Sequence, residues 1–516
     1  MIEVVVVGAG PNGLMLACEL ALAGCRPVVL EKAPGPDPVP KANGLVGQVV
    51  TVLERRGLIA RLTGDSRPVP PAPGYTFAGL ALELGRLTDH PLRVVPVPQP
   101  HIVEVLAERA VELGVEIRWG HGLVDLRPGL DEVRLDVEGP DGGYQLSAGY
   151  VVGADGGHST VRKRSGIAFP GVGQDRSTSA LGAVRVDPGD LDPVTGGLVV
   201  PGFGTLEPFV GVRTDRGGVS WAPLPDRAPL LSATEWDRPR AEGSMTLDEL
   251  RERVARVLGT QVAFDAPEGP GPHPLRRIEG GQNRHAERFR AGRVLLLGDA
   301  AHVDTAGGQG LNLGMQDAVN LGWKLAAVVA GDMPEQLLDS YDAERRPAAR
   351  RVLVYAGSLN ALLMPGPEVT ALRELFTELL ADDATLHRLA ALTAGSDLAY
   401  DMGAGPGAHP LVGRLLTDPG PDARAALAAG HPLLLDRTPG GDAAAVLEAL
   451  TDRVQVLRLS PEEEQPAAVL VRPDQYVAWA GDPVGGAGDL RAALRRWFGT
   501  AAAVRGAGST AAATAP

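Results

Sequence analysis

"IEVVVVGAGPNGLMLACELALAGCRPVVLE", residues 2–31, decides the fold. Its opening "IEVVVV" is a β-branched run closed by glycine, the pattern of a strand buried in a parallel sheet. Leu14, Leu16, Ala17, Leu20 and Leu22 then set a helix over 11–23, and "RPVVL" (26–30) is a second strand ending at Glu31. Strand, helix and strand in this span make a βαβ unit with a right-handed crossover. Gly8, Gly10 and Gly13 sit between the first strand and the helix. The first permits a tight turn, the second lets a pyrophosphate approach the backbone, and the third allows close helix–strand packing. Glu31 stands where an acid binds a ribose hydroxyl. The unit is expected to bind a dinucleotide.

Two later stretches separate FAD from NAD. "YVVGADGGHSTVR" (150–162) is a strand ending at Asp155-Gly156, and "GRVLLLGDAAH" (292–302) is one ending at Gly298-Asp299. Ligands in such folds lie beyond the carboxyl ends of strands. Asp299 can bond a ribityl hydroxyl, a group NAD lacks. In "GDAAHVDTAGGQGLN" (298–312), Gly307, Gly308 and Gly310 leave room for a flat ring. A helix beginning near Leu311 points its N-terminal dipole at that ring, where a reduced flavin carries negative charge.

Outward from these motifs, helices are expected at 47–62 and 101–113, and strands at 115–118, 133–137 and 145–152. From about 170 to 285, turns rich in Gly, Pro and Asp separate short alternating segments, which indicates a mostly antiparallel sheet. Then come the strand 293–297, long helices at 311–330 and 337–363, and a third around 368–394. The Gly/Pro-rich stretch 401–422 reads as a linker. A strand (432–435), a helix (442–451), three strands (454–458, 467–471, 476–480) and a helix (488–498) follow. Residues 501–516 read as a disordered tail.

At 516 residues the chain exceeds one ordinary core. A net charge of −14 argues against nucleic acid or an anionic membrane surface as partner. Cys18 and Cys25 are the only cysteines, which allows no disulfide framework or metal motif. They read as packing residues in a cytoplasmic protein without a signal peptide or membrane span.

The chain resembles the class A flavin-dependent aromatic monooxygenases, in the branch that hydroxylates anthracycline, angucycline and tetracycline polyketides and includes rifamycin monooxygenases. The resemblance runs from "VVVVGAGPNGLMLACELALAG" through "FRAGRVLLLGDAAH", "GLNLGMQDAVNLGWKLAAVVAG" and "SYDAERRP" to "HPLVGR", "AAVLVRPDQYVAW" and "LRRWFG". It implies an α/β fold: a Rossmann-like FAD-binding domain of the p-hydroxybenzoate hydroxylase type (1–70, 100–170, 286–395), a mostly antiparallel substrate-binding domain (71–99, 171–285) and a thioredoxin-like C-terminal domain (400–500). The last has no CxxC and therefore no thiol redox chemistry.

By the same resemblance, Gly8, Gly10 and Gly13 form the pyrophosphate turn and Glu31, followed by Lys32, meets the adenosine ribose. Lys41 stands where most members have Arg, and Gln48 where the branch usually has another Arg. Gln99 contacts the flavin side, Asp155 belongs to a motif tied to FAD and NADPH, and Asp299 holds the ribityl chain. Leu311 and Asn312 offer backbone amides to the flavin C2 carbonyl, and Ala306, Gly307 and Gly308 form the flavin-edge loop. No protein base is assigned; His101, His158 and His302 read as structural. Phe203, Phe209, Trp221 and Trp236 are the candidate aromatic linings of a cavity expected to be large and aliphatic.

The implied activity is FAD-dependent hydroxylation of a polycyclic aromatic polyketide by a flavin C4a-hydroperoxide, with NADPH as a transient co-substrate and O2 as oxidant, in a monomer or homodimer. The family usually reads His-x-Pro-x-Gly-Gly-Gln-Gly. Here Val303, Asp304, Thr305 and Ala306 precede Gly307, one residue short and without the proline. Loss of that stiffener keeps two alternatives open: Baeyer–Villiger insertion on a similar polyketide, and a redox-neutral or non-oxygenating flavoprotein.

Overall fold

The computed structural model describes residues 1–499 except 173–175, 225–226, 240, 305–307, 449–451 and 463–464, with backbone alone at 484–488. Ile2–Val7 lies at the centre of a sheet ordered Arg290–Ala291, Val294–Leu296, Gly142–Gly153, Ile2–Val7, Pro27–Glu31, Glu116–Trp119. It pairs in parallel with Pro27–Leu30 on one side and with Tyr150–Gly153 on the other. Val4, Val5 and Val6 are wholly buried, as a strand covered on both faces requires.

Gly142–Gly153 has three partners. Its first half runs antiparallel to Val133–Gly139, and its end enters the parallel sheet. Gly122–Pro128 extends the meander beyond Val133–Gly139, a strand the sequence patterning did not show. Helices Pro11–Leu22 and Gly310–Val329 cross closely. A Cβ on Gly314 would fall 2.2 Å from Asn12 Nδ2, and one on Gly322 would fall 2.5 Å from Glu19 Cβ.

A second sheet is antiparallel, ordered Gly211–Thr214, Gly217–Ala222, Leu230–Trp236, Ser177–Ala183, Leu275–Glu279. Alternation gives it two faces. Val219, Trp221, Leu231 and Ala233 pack with Leu250, Val254 and Val257 of the amphipathic helix Leu247–Leu258. The other face carries Ser179, Thr234 and Trp236.

Several boundaries differ from the sequence reading. Residues 71–99 do not enter the antiparallel sheet. The hairpin Tyr75–Phe77/Leu80–Leu82 packs Phe77, Leu82 and Leu84 onto Tyr355, Leu359 and Leu386 of the helices, and Val94–Pro96 pairs with Gly44–Val46. The helix expected at 368–394 is two, Pro367–Leu379 and Asp383–Ala394; Asp382 accepts the Thr385 N–H and caps the second. The 47–62 helix breaks at Gly57, φ 73°. The stretch read as a linker ends in the helix Gly420–Ala428. Both cysteines are buried packing residues, their thiols pushed up to about 12 by desolvation.

The C-terminal sheet is ordered Gln455–Arg458, Leu433–Asp436, Ala468–Val471, Val477–Gly481; only its first pair is parallel. Helices Asp442–Glu448 and Pro483–Phe498 accompany it. A buried charge cluster fixes it to the long helices. Arg472 donates to both oxygens of Glu344 at 2.7 and 2.8 Å, and Lys324 Nζ donates to the same carboxylate at 2.8 Å. Arg472 also lies over the Trp497 ring at 4.4 Å. Removing one partner of such a buried set leaves uncompensated charge, a loss of about 3–5 kcal/mol. Glu344→Leu is therefore expected to lower the melting temperature by several degrees in differential scanning calorimetry; an unchanged transition would contradict this packing.

Candidate functional site

The glycine turn divides its labour. A Cβ on Gly8, whose φ is +110°, would sit 2.4 Å from Ala154 O, and one on Gly13 would sit 2.0 Å from Gly8 O. A Cβ on Gly10 would meet nothing within 4 Å. Two glycines are demanded by the protein itself, and the third keeps space clear for a ligand. Helix Pro11–Leu22 begins at Gly10 with no side-chain cap and no acid in its first turn. Its free N–H groups and positive dipole end are open to an anion. Glu31 accepts from Ala9 N and Ala33 N, both at 2.9 Å, so its carboxylate is held at the end of the next strand. Lys32 is exposed. Lys41 is exposed too, pairs with Asp37 at 3.2 Å, and bears on Asp299. Gln99 is half-buried and opens the helix Gln99–Glu112, its N–H donating to Ala42 O at 2.9 Å.

Asp299 lies on the turn Gly298–Ala300 beyond Val294–Leu296. Its residue surface is open, and its carboxyl is bonded to no described residue. Desolvation by the surrounding protein pushes the carboxyl up, while His302 and Lys41 pull it down. Beyond it, the helix Gly310–Val329 starts at Gln309 without a side-chain cap or first-turn acid. The N–H groups of Gly310, Leu311 and Asn312 have no acceptor within the helix. Asn312 Oδ1 accepts from Val46 N at 3.0 Å and its Nδ2 donates to Gly308 O at 3.3 Å. The side chain ties down the loop and leaves the helix-end amides for another partner. Gly308 is exposed, with φ +64°; Ala306 and Gly307 lie outside the described residues.

Around this helix end, Asn12 Oδ1, His302 Nδ1 and Asp304 Oδ1 are buried without a hydrogen-bond partner among the described residues. Orphaned polar atoms of this kind mark a place where another group belongs. With the clear space at Gly10, they fit FAD, whose pyrophosphate, ribityl chain and ring edge would pass these atoms in turn.

Asp155 caps the short helix Thr160–Arg164, accepting from Thr160 N at 2.6 Å, Val161 N at 3.1 Å and Ser159 Oγ at 2.5 Å. Gln48 is buried and accepts from Tyr476 Oη at 3.1 Å, a contact with the C-terminal unit. His101 is half-buried and His158 exposed. His302 is buried, with Nε2 2.6 Å from Asp317 Oδ2. Arg345 Nε donates to the other Asp317 oxygen at 2.7 Å and its Nη1 to Tyr400 Oη at 2.6 Å. Burial opposes charge on Asp317, but Arg345 and then His302 outweigh it and hold its carboxyl below the ordinary range. Asp317 and Arg345 were not singled out in the sequence. The signal was present: an acid in "GMQDAVN" on an otherwise apolar helix, and an arginine in "AERRP" one helix later.

A cleft of about 340 Å³ opens on the free face of the antiparallel sheet, within the range of small-molecule sites. Ser179, Thr234 and Trp236 form its floor, Tyr75 and Thr76 one wall, Tyr355 and Leu359 another, and Asn283 also lines it. The expected aliphatic lining is corrected: the described lining is rich in hydroxyl and amide groups and carries no carboxylate, lysine, arginine or histidine. Strand parity places the four aromatic residues relative to this cleft. Trp221 is fully buried on the helix-covered face, its Nε1 donating to Gly196 O at 3.0 Å. Phe203 packs at the edge of that same core, and Phe209 is 58% exposed outside the cleft. Trp236 is the one of the four that lines it.

Gly10 and Gly13 make opposite predictions. Gly10→Val should fold, with a near-unchanged melting temperature of the FAD-free protein, and weaken FAD binding at least tenfold, about 1.4 kcal/mol. Gly13→Val should abolish soluble folded protein. Flavin titration by fluorescence and thermal melting check both.

The FAD binding domain family matches residues 1–356, and the aromatic-ring hydroxylase C-terminal family matches residues 409–501. A 12-dehydrotetracycline 5-monooxygenase/anhydrotetracycline 6-monooxygenase of Streptomyces rimosus is 40% identical, the alignment covering 96% of this chain and 99% of that one. A rifampicin monooxygenase of Streptomyces venezuelae is 38% identical over 98% of this chain and 100% of that one. Among solved structures, a Diels-Alderase from the biosynthetic pathway of pyrroindomycins superposes with a TM-score of 0.79 at 33% identity, covering 97% of this chain and 100% of that one. With a groove that fits FAD and this likeness along nearly its whole length, the chain belongs to the FAD binding domain family, in its branch of flavin-dependent polyketide monooxygenases.

Proposed function

We propose that the protein is an FAD-dependent monooxygenase that uses NADPH and O2 to hydroxylate a polycyclic aromatic polyketide. One observation carries the reading: the cleft abuts the expected flavin edge. Asn283 of its lining is paired in register with Asp304, and Tyr355 of its wall also lines a small pocket together with Gln309 at the helix end.

FAD, when bound, supplies electron storage and oxygen activation. The chain supplies position and field. Gly10 and the start of Pro11–Leu22 take the pyrophosphate, Glu31 a ribose hydroxyl, and Asp299 the ribityl chain. The first turn of Gly310–Val329 places its N–H groups where a reduced ring carries negative charge. The described lining of the cleft, with many hydrogen-bonding groups and no charged side chain, suits a neutral oxygen-rich polycycle. No second glycine-rich βαβ unit follows the first in the sequence, which supports transient NADPH binding without a dedicated domain.

The mixed C-terminal sheet with its flanking helices is read as thioredoxin-like. It has no dithiol, since Cys18 and Cys25 both lie in the first βαβ unit, and serves through packing. Among the described residues no helix is long and apolar enough to cross a membrane. A cytoplasmic monomer or homodimer completes the reading.

Likeness to a Diels-Alderase favours one second reading, a redox-neutral reaction in the same cleft; the altered loop after Asp304 points the same way. NADPH oxidation and oxygen uptake with tetracyclic hydroxyquinones, with products located by NMR, decide between them. Hydroxylation predicts substrate-dependent consumption of both and a new ring hydroxyl. Oxygen inserted into the ring skeleton assigns Baeyer–Villiger chemistry, and conversion without oxygen uptake overturns the oxygenase reading. Trp236→Leu, which removes the aromatic floor, should raise KM about tenfold with kcat within a few-fold of wild type, read in the same assay.

A further inference from the structure

The short strand His302–Asp304 runs antiparallel to Asn283–His285, with Asp304 directly opposite Asn283. Directly opposed residues in such a pair project from the same face, their Cβ atoms about 4.5–5.5 Å apart. Asn283 lines the cleft, and Asp304, which is not itself part of the described lining, stands next to it on the same face of the pair. From the other direction, Asp304 Oδ2 is 3.5 Å from where a Cβ on Gly310 would lie. Gly310 begins the helix whose N-terminus faces the flavin groove. Asp304 Oδ1 is buried and without a hydrogen-bond partner. One carboxyl group thus adjoins both a residue of the cleft wall and the first residue of the helix that faces the flavin groove, with one oxygen unpaired.

The surroundings match. Desolvation pushes the carboxyl up to about 7, Asp299 adds to the rise and His302 opposes it. A base is most effective near its operating pH. His302, on the same strand, is committed to Asp317 through Nε2. Asp299 faces from the preceding turn and Tyr355 from the long helix. On the partner strand, His285 is opposite His302, and Arg284, one residue out of step with Asn283, leaves from the other face. The first turn of Gly310–Val329 carries no ionisable group.

We propose that Asp304 is the proton acceptor for the substrate, taking the proton of a ring hydroxyl as the ring is oxygenated. The O–H bond breaks, its electron pair stays on the substrate oxygen, and the proton passes to the Asp304 carboxylate, which is neither oxidised nor reduced. The phenolate so formed enriches the ring in electrons. The inference rests on the preceding reading that the cleft holds a hydroxylated aromatic.

The probe is 1,2-dihydroxyanthraquinone, whose colour reports its ionisation, bound to the oxidised FAD-loaded protein without NADPH. In the wild type an anionic Asp304 beside the dye opposes its second negative charge. In Asp304→Asn the midpoint of the bound dye's colour change should fall by at least one pH unit. Asp304→Glu, which keeps the acceptor, should return it to within half a unit of wild type. In turnover of the same probe, kcat/KM of the wild type should fall tenfold per pH unit well below pH 7. Asp304→Asn should lose that limb and be slower by about 10²–10⁴-fold. A bound dye with the same midpoint in wild type and Asp304→Asn overturns the role of Asp304 and leaves the cleft reading intact. A variant that keeps the acid limb overturns it as well. A wild-type protein that does not bind the dye overturns both the cleft reading and the role built on it.

Discussion

The carboxylate of Asp317 is the interaction on which the site depends. It is fully buried and receives three donors from three places: Gly298 N at 3.2 Å, His302 Nε2 at 2.6 Å and Arg345 Nε at 2.7 Å. A buried carboxylate without partners is strongly destabilising. The turn that carries Asp299, the strand that carries Asp304 and the two long helices must therefore converge on one point. That convergence brings Asp299 and Asp304 to the start of the helix Gly310–Val329, since Asp299 is one residue beyond Gly298 and Asp304 two beyond His302.

The C-terminal unit is coupled to the same point. Arg345 reaches Tyr400 Oη, and the Tyr400 ring stacks on Tyr476 at 4.3 Å, whose hydroxyl donates to Gln48. Arg55 donates to Gln475 Oε1 at 3.0 Å, and Arg56 joins Glu19 at 2.7 Å while donating to Pro473 O at 2.9 Å. The unit without a dithiol thus braces the helices behind the flavin groove.

Local physics made much of this legible in the sequence. A buried strand, a glycine turn and a strand ending in an acid are short-range patterns, and the elements carrying Gly8 to Gly13, Glu31, Asp299 and Asn312 lie where those patterns put them. What the sequence concealed was long-range or two-fold ambiguous. Asp317 and Arg345 sit on different helices, and nothing local pairs them with His302. Trp221 and Trp236 lie on neighbouring strands of one sheet. Which of them faces the cleft depends on which face helix Leu247–Leu258 covers, and alternation alone does not say. Asp304 was legible only as a departure from a motif. Its register with Asn283 comes from a pairing between segments nearly twenty residues apart.

The most direct test of the account is a crystal structure of the FAD-loaded protein. The pyrophosphate should lie against Gly10 and the ribityl chain against Asp299. The pyrimidine edge of the flavin should meet the amides of Leu311 and Asn312, with the ring facing the cleft at Asn283. A flavin bound elsewhere, or one whose ring is walled off from that cleft, would contradict it.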